Sequence, residues 1–379
     1  MRAWRDDYLR DGLVIARGFL DESTLYAMQH DLEDVVDQFA QQLLPREERL
    51  KLRRLGFSHR YTGVYEANLR ANGGARSDLP AYFRSQAHTA GVHKFLTHSR
   101  LHELVRCLLP RELQNTPALK LYPVYMARGK VPDRISKSAM TVDWHQDAMY
   151  TYYWYSALNT TIAQIDEYAR SVVNTWVPIT DTDLSLGPVQ LVRRRPMTLT
   201  RADMLCEGDG CEAKIGGPRR EYLRVSEIDE YVAAFPERVV TAEMRRGDVL
   251  FFDQYTYHRG LPNVSPNETR WSVDFRFQDA RLPTLRGHPG YVLGSDAAAV
   301  AAAEDFNAPL IATDEDWQEA APAKRASEKG SDRFGEESGE ATHRWAELHE
   351  DGDRLLGALQ LERTRHRGVS ADSQNQKAT

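Results

Sequence analysis

Cysteines, long apolar runs and basic tails are all scarce in this chain, and each scarcity excludes a class of protein. The 379 residues include only Cys107, Cys206 and Cys211, too few for a disulfide framework in a chain of this length. No run reaches the about eighteen consecutive apolar residues of a transmembrane helix, and the first residues lack the apolar segment of a secretory signal. We therefore expect a cytoplasmic protein without a membrane span.

Acidic residues are concentrated near the carboxyl terminus. Residues 303–354 hold 15 Asp or Glu against 6 Lys or Arg, whereas the whole chain has a net charge of −6. The remaining body is close to neutral and has no basic tail, which argues against nucleic acid as the main partner. We expect a small-molecule substrate, and the sequence makes no prediction of oligomeric state.

The hydrophobic pattern divides the chain into regions. Asp21 can cap a helix with one apolar face, and residues 98–109 predict a shorter helix. Strand-like runs then recur between residues 119 and 278, whereas residues 201–236 are rich in Gly and charge and predict a long loop or excursion. Beyond about residue 290 the sequence becomes Ala-rich and acidic. We predict one domain over residues 1–290 and an acidic, partly disordered extension over residues 291–379.

The most informative motif is His145-Gln146-Asp147, followed far downstream by His258. On a strand, His145 and Asp147 would point to the same face because one residue separates them. Two imidazoles and one carboxylate on one face of a metal leave the opposite face open, an arrangement that suits non-haem Fe(II). We predict His145, Asp147 and His258 as metal ligands that the fold brings together.

A second pattern lies on both sides of His258. The run from Gly247 to Asp253 predicts a strand that delivers His258 at its far end, and residues 270–277 then alternate strictly between polar and apolar,. Arg270 and Ser272 share the polar face of that strand. A guanidinium fork with a hydroxyl beside a metal can hold the far carboxylate of a dicarboxylic acid.

These stretches resemble the phytanoyl-CoA dioxygenase family of Fe(II)/2-oxoglutarate-dependent oxygenases. Four segments, in order and spacing, carry the resemblance: Tyr8–Glu22, Asp143–Asp147, Asn174–Asp181 with Gly187, and Gly247–Arg270. The resemblance implies a mainly β fold, a double-stranded β-helix (jelly-roll, cupin-like) core braced by helices. It also implies His145, Asp147 and His258 as Fe(II) ligands and Arg270 as the 2-oxoglutarate clamp, whereas Ser272 is supported by sharing the strand face of Arg270.

The reaction that the resemblance implies consumes 2-oxoglutarate and O₂ and releases succinate and CO₂ while an unactivated C–H bond is hydroxylated. Related halogenases have a small residue in place of the metal-binding carboxylate, so Asp147 favours hydroxylation over chlorination. Desaturation, epimerisation and ring closure use the same oxidant and stay open. The substrate is expected to be a small organic molecule, free or carrier-linked.

Three departures from the family pattern concern the substrate rather than the metal. Residues 193–196 read Arg-Arg-Arg-Pro where relatives have a Pro-Gly-Ser-His corner, Gly260 stands where Ser is common, and residues 155–171 are extra. Helical spacing within the extra segment predicts a short helix over the site entrance. The arginine run is a candidate for binding an anionic group, and the aromatic run Tyr150–Tyr155 is either a substrate wall or core.

Two other classes of function stay open. A jelly roll could bind a metal or a ligand without turnover, but such a module has no need of a carboxylate clamp. A cupin-like zinc or manganese hydrolase or isomerase would ignore 2-oxoglutarate and O₂. If Arg270 is instead a salt-bridge partner, Arg276 is the next candidate for the clamp, because it lies on the same strand face.

Overall fold

The structure is a computed structural model that describes residues 1–73, 79, 82–83, 87–122, 125–136, 142–148, 162–193, 202–206, 221–225, 228–284, 288–305 and 307–320. Its helices are α1 (Arg2–Asp11), α2 (Glu22–Leu43), α3 (Arg46–Leu52), α4 (Phe57–Ala71), α5 (Ala90–Leu96), α6 (Ser99–Leu108), α7 (Ile162–Ser171), α8 (Ile228–Ala234), α9 (Ala297–Asp305) and α10 (Asp314–Glu319).

Strands dominate the second half of the chain. They are β1 (Leu13–Ala16), β2 (Tyr82–Phe83), β3 (Leu119–Leu121), β4 (Met126–Lys130), β5 (Val172–Pro178), β6 (Val189–Val192), β7 (Ala202–Cys206), β8 (Glu221–Val225), β9 (Val239–Thr241), β10 (Val249–Asp253), β11 (His258–Gly260), β12 (Arg270–Asp279), β13 (Tyr291–Leu293) and β14 (Leu310–Ile311).

Two mainly antiparallel sheets form the jelly-roll core that the sequence predicts. Within the described residues, the major sheet has the strand order β1-β10-β5-β12-β3-β13-β14, with β4 also on β12 and β2 on β4, and the minor sheet has the order β11-β6-β9. The pair β13–β14 is parallel. Leu250 and Trp176 of the major sheet share an apolar cluster with Leu191 of the minor sheet, so the two sheets face each other.

The strand β12 separates the inside of this sandwich from its helical cover. Trp271 and its alternate neighbours Val273, Phe275 and Phe277 are fully buried and belong to the main core, which also contains the buried faces of α2, α4, α5 and α6. The opposite face of β12 carries the polar residues and looks into the sandwich. Because successive side chains of a strand point to opposite faces, the apolar residues of β12 face the helices and its polar residues face the interior of the sandwich.

The amino-terminal segment is held by the turn that precedes β10. Asp248 accepts hydrogen bonds from Arg17 Nη1 (2.6 Å), Gly18 N (2.8 Å) and Arg245 N (2.9 Å), while the Gly247 carbonyl accepts from two further amides. Gly247 has φ +97°, a conformation that favours glycine. The first and last segments of the family resemblance therefore meet in space.

Several local predictions are confirmed. Asp21 caps α2 by accepting from Thr24 N at 2.8 Å, and α6 spans most of residues 98–109. The extra segment contains the predicted short helix, α7. Its buried Tyr168 and Ala169 pack with Tyr122 and Tyr255, so α7 lies beside the sheet. Its position over the site entrance stays a prediction.

Of the two alternatives for residues 201–236, the structure supports an excursion and not one long loop, because β7 and β8 form an antiparallel pair and α8 follows. One local prediction is wrong. The strand of the Gly-Asp motif ends at Asp253 and does not reach His258, since the Asp253 carboxylate accepts from Tyr255 N at 3.0 Å and Thr256 Oγ1 at 2.8 Å and so forms a turn. His258 therefore opens a new strand in the other sheet.

The segment after residue 290 begins with ordered structure. β13 pairs with β3 in the major sheet, and Trp317 of α10 is fully buried. The division of the chain at residue 290 stays a prediction, as does the character of the extension, because residues 321–379 lie outside the described part. The aromatic run at 150–155, Arg194, Arg195 and Cys211 also lie outside it. Among the described helices, none is both long enough and apolar enough to cross a bilayer.

Candidate metal centre and co-substrate site

The three predicted metal ligands meet at one place in the sandwich. His145 and His258 are paired in an antiparallel bridge, each amide donating to the other's carbonyl at 3.0 Å. One step further, Ala148 N donates to Gln254 O at 3.0 Å, which fixes the segment that carries Asp147. Backbone pairing therefore brings together side chains that are far apart in the sequence.

The ligand atoms lie close enough to share one ion. Nε2 of His145 and Nε2 of His258 are each 3.6 Å from Asp147 Oδ1. The three ligand atoms, one from each residue, all lie within 4.8 Å of one another. Metal–ligand bonds of ~2.1 Å can bridge such separations. All three side chains are buried.

Hydrogen bonds to the backbone orient both imidazoles. His145 Nδ1 lies 2.7 Å from the Asp143 carbonyl, and His258 Nδ1 lies 2.9 Å from the Thr256 carbonyl. A carbonyl can only accept, so each Nδ1 carries the proton and each Nε2 presents its lone pair to the site. The donor set of two neutral nitrogens and a carboxylate oxygen fits the Fe(II) that the resemblance implies.

Electrostatics keep these donors in the form that binds a metal. Burial lowers the pKa of His145, and the neighbouring His258 lowers it further. Burial alone would raise the pKa of Asp147, but the charge of Arg276 holds that pKa well below its usual value. At neutral pH the His145 imidazole is therefore uncharged and the carboxylate is ionised.

The contacts of Arg276 differ from the sequence-based alternative. Its Nε and Nη2 lie 3.0 Å and 2.6 Å from Asp147 Oδ2, so the guanidinium binds the carboxylate of a predicted metal ligand. Its position on the polar face of β12 was visible in the sequence, whereas this partner was not.

Arg270 lies on the same strand face and is 2% exposed. Its Nη1 donates to the Gly187 carbonyl, and its guanidinium carbon is 5.7 Å from the centroid of the Trp176 ring. Gly187 has φ +67°, and a Cβ there would lie 2.3 Å from the Leu261 carbonyl oxygen. Only glycine fits this close approach, which places the Gly187 carbonyl within reach of Arg270.

Lys130 is a second cation at this end of the site, and the sequence reading missed it. It is directly opposite Arg270 in the β12–β4 register, so the two side chains share a face. Its Nζ donates to Leu261 O at 2.6 Å, and burial, reinforced by the charge of Arg270, lowers the pKa of Lys130 to about 7. The alternation of β4 placed Lys130 on one face, but only the strand pairing shows that Arg270 is opposite.

Ser272 lies between Pro178 of β5 and Arg128 of β4 in the strand register. It is fully buried, and within the described residues its hydroxyl has no hydrogen-bond partner. Arg128 forms an ion pair with Asp274, Nε to Oδ2, at 2.6 Å. A buried hydroxyl without a partner costs free energy, so Ser272 Oγ is suited to bind a ligand oxygen.

Trp176 is 4% exposed and belongs to the apolar cluster between the sheets, and its ring also faces the Arg270 guanidinium. Arg193 is exposed, and Cys107 is a free thiol.

The chain was compared with known proteins. A family model described as phytanoyl-CoA dioxygenase (PhyH) matches residues 8–271. No curated protein sequence matches the chain.

Solved structures resemble the chain at low identity. The epimerase SnoN, in complex with Fe³⁺, alpha ketoglutarate and nogalamycin RO, is 18% identical over 75% of this chain and 86% of that chain, with a TM-score of 0.39. EctD from S. alaskensis, with 2-oxoglutarate and 5-hydroxyectoine, is 12% identical over 75% and 77%, with a TM-score of 0.45. AviO1 from Streptomyces viridochromogenes Tue57 is 16% identical over 74% and 96%, with a TM-score of 0.42.

Proposed function

The chain belongs to the phytanoyl-CoA dioxygenase family and is a 2-oxoglutarate-dependent non-haem iron oxygenase, and we propose that it hydroxylates an unactivated C–H bond of a small organic substrate, free or carrier-linked. Succinate and CO₂ are the co-products. The observation that carries the assignment of the site is the placement of both imidazole Nε2 atoms 3.6 Å from Asp147 Oδ1.

In this proposal His145, Asp147 and His258 hold Fe(II), which supplies open coordination positions for the keto acid and for O₂ and thereby the oxidising power. The Nδ1–H bonds to the Asp143 and Thr256 carbonyls keep the imidazoles in one tautomer and one orientation. Because the three donors come from two paired backbone segments, their separation is set before any ligand binds.

Arg270 binds the far carboxylate of 2-oxoglutarate, and Ser272 donates its hydroxyl to the same group. This part of the proposal is supported by charge, since Lys130 and Arg270 are both buried and face each other. Two buried cations repel each other, and a bound carboxylate would offset that repulsion. Asp133 Oδ1, at 3.6 Å from Lys130 Nζ, offsets only part of it.

The outcome of oxidation follows from where the substrate carbon lies. Asp147 would hold the third protein position on the metal, which favours oxygen transfer over chlorination. Desaturation, epimerisation and ring closure remain the alternative uses of the same site, because its described residues serve all of them equally.

The experiment is a substrate screen in air with Fe(II), 2-oxoglutarate and isotopically labelled O₂. We expect succinate formation that depends on Fe(II), and a product that gains one labelled oxygen atom. The variant His258→Ala should form no succinate, whereas His30→Ala, which removes an exposed imidazole from α2, should match the wild type.

Other outcomes would redirect the proposal. A product that loses two hydrogen atoms would replace hydroxylation by desaturation or ring closure, and an unchanged mass would indicate epimerisation. Full turnover by His258→Ala would refute the ligand assignment. Turnover with Zn(II) or Mn(II), without 2-oxoglutarate, would favour a hydrolase or an isomerase.

A further inference from the structure

The two oxygens of the Asp147 carboxylate have different partners. Oδ1 faces His145 Nε2 and His258 Nε2 at 3.6 Å each. Oδ2 receives Nε and Nη2 of Arg276 at 3.0 Å and 2.6 Å. Both guanidinium nitrogens therefore bind the one oxygen that points away from the histidines.

Arg276 is itself held firmly. It lies in the central part of β12, opposite Asn174 of β5, and its carbonyl accepts from Tyr122 N at 2.8 Å. Its side chain is 14% exposed. A guanidinium fixed at its backbone and buried by its neighbours can impose a geometry on its partner, because moving it would require shifting the sheet.

A cation this close to a metal ligand needs an explanation. Arg276 keeps Asp147 ionised, but its charge also repels any metal ion that Asp147 would hold, so these two effects on metal affinity oppose each other,. What the guanidinium does provide is occupation of Oδ2. With Oδ2 engaged, Asp147 offers the metal a single oxygen.

The number of protein donors decides whether the reaction can proceed. Iron in such sites has six positions, of which the keto acid takes two and O₂ one, so the protein can occupy only three. If both oxygens of Asp147 bound the metal, the protein would occupy four positions and the chelate the other two, so no position would be left for O₂. We propose that Arg276 is a positioning residue that restricts Asp147 to one-oxygen coordination and so keeps the third open position available.

This inference rests on the proposed function, and its test separates the two. The experiment measures two affinities of the full chain: that for Fe(II) and, anaerobically, that of the Fe(II)–2-oxoglutarate complex for nitric oxide, an O₂ analogue. The metal-to-ligand charge-transfer band identifies the complex with 2-oxoglutarate. The variants are Arg276→Gln, which retains a hydrogen-bond donor without the charge, and Arg276→Lys, which retains the charge without the fork.

We expect Arg276→Gln to bind Fe(II) no more weakly than the wild type, since a second carboxylate oxygen becomes available to the metal. Its complex with 2-oxoglutarate should bind nitric oxide with a Kd ~10–100-fold higher, of the size seen when the hydrogen-bond partner of a metal ligand is removed. Arg276→Lys should show an intermediate rise.

The matched control is Arg281→Gln. Arg281 binds Asp279 through Nε at 3.0 Å and Nη2 at 2.6 Å, the same kind of pair just beyond the end of β12 and away from the metal ligands. It should leave both affinities unchanged. Thermal unfolding of each variant monitors the fold.

The remaining outcomes overturn one claim or the other. If the Fe(II) affinity falls in Arg276→Gln, or if the affinity for nitric oxide is unchanged, Arg276 has a structural role only and the inference is wrong. If Arg276→Gln does not fold, Arg276→Lys decides, because unaltered affinity for nitric oxide there would refute the inference. If the wild type binds Fe(II) but shows no band, the proposed function fails first.

Discussion

The two faces of the ten-residue strand β12 have different roles. On one face, Trp271 is fully buried, with ring centroids 5.3 Å from Phe57, 5.3 Å from Tyr61 and 5.5 Å from Phe83. On the other face, Arg270 and Arg276 hold charges inside the sandwich. The apolar face stabilises the fold, whereas the polar face is stable only where its charges have partners. Substitutions on one strand can therefore change the stability of the fold and the binding properties of the site separately.

The largest effect should come from Asp147→Ala. It removes a metal ligand and also the carboxylate that neutralises Arg276, and breaking a buried ion pair costs ~3–5 kcal/mol of unfolding free energy. We expect no measurable Fe(II) binding and a lower urea midpoint. The double variant Asp147→Ala/Arg276→Met should recover most of the stability and none of the Fe(II) binding, measured by equilibrium dialysis. Wild-type Fe(II) affinity in the single variant would contradict this view of the polar face.

The apolar face is tested by Trp271→Ala. Loss of a fully buried Trp should lower the unfolding free energy by ~3–5 kcal/mol. Because Trp271 points away from the sandwich interior, the folded fraction should bind Fe(II) and 2-oxoglutarate as the wild type does. Denaturant titration gives the stability, and dialysis below the unfolding transition gives the affinities. A selective loss of 2-oxoglutarate affinity would show that the two faces are coupled.

The clamp is tested by Arg270→Ala. Removing one partner of a buried charged contact typically costs ~2–5 kcal/mol of binding, which is ~30-fold or more in the Kd for 2-oxoglutarate. Fe(II) affinity should stay unchanged, since Arg270 contacts none of the proposed ligands in the described contacts. Isothermal titration calorimetry measures both. An unaltered Kd for 2-oxoglutarate would mean that the far carboxylate is held elsewhere.

Lys130 should make 2-oxoglutarate binding depend on pH. Burial and then the charge of Arg270 lower the pKa of Lys130 to about 7, and a dianionic ligand favours the protonated amine. Binding should therefore take up a proton, so affinity should fall as pH rises above about 7. In Lys130→Met this slope should disappear. Calorimetric titrations in buffers of different ionisation enthalpy measure the proton uptake on binding. An equal pH dependence of 2-oxoglutarate affinity in the wild type and in Lys130→Met would assign the titration to another group.

Lys130 should also affect stability with a definite sign. Its folded-state pKa is lower than that of an unfolded lysine, so between about 7 and the ordinary value of 10.5 the unfolded chain binds more protons. Stability should rise with pH across that window as far as this group is concerned.

The smallest effect should come from Ser272→Ala. One hydrogen bond from an uncharged hydroxyl to a charged carboxylate contributes ~1.5–3 kcal/mol, so the Kd for 2-oxoglutarate should rise ~10–150-fold, less than the upper range for Arg270. The unfolding free energy should stay the same or increase slightly, because the hydroxyl has no partner within the described residues of the ligand-free protein. An unchanged Kd would remove Ser272 from the site.

The sequence predicted much of this arrangement through periodicity. His145 and Asp147 do not share a strand as expected, because His145 lies in an isolated bridge and Asp147 begins a helical segment. Strict alternation over residues 270–277 assigned both faces of β12 correctly, and helix α2 was predicted from its cap at Asp21 and its apolar stripe. These features depend on local spacing, which a single sequence contains.

Features that depend on strand pairing could not be predicted. Nothing in the sequence specifies that Lys130 is opposite Arg270 or that Arg276 reaches Asp147, since register arises from the whole sheet. The start of β11 at His258 was missed because the Asp253 side chain forms a turn inside an apolar run. The β7–β8 pair was missed because its glycines and charges resemble a loop.

The central claim is that the ligands and the polar face of β12 form one Fe(II)/2-oxoglutarate site. The most direct measurement is an anaerobic titration of the metal-free protein with Fe(II) and then 2-oxoglutarate, followed by the visible charge-transfer band. We expect the band in the wild type, its absence in His258→Ala at every concentration, and its appearance in Arg270→Ala only at higher 2-oxoglutarate. Fe(II) binding without a band in the wild type, or an undiminished band in His258→Ala, would contradict the claim.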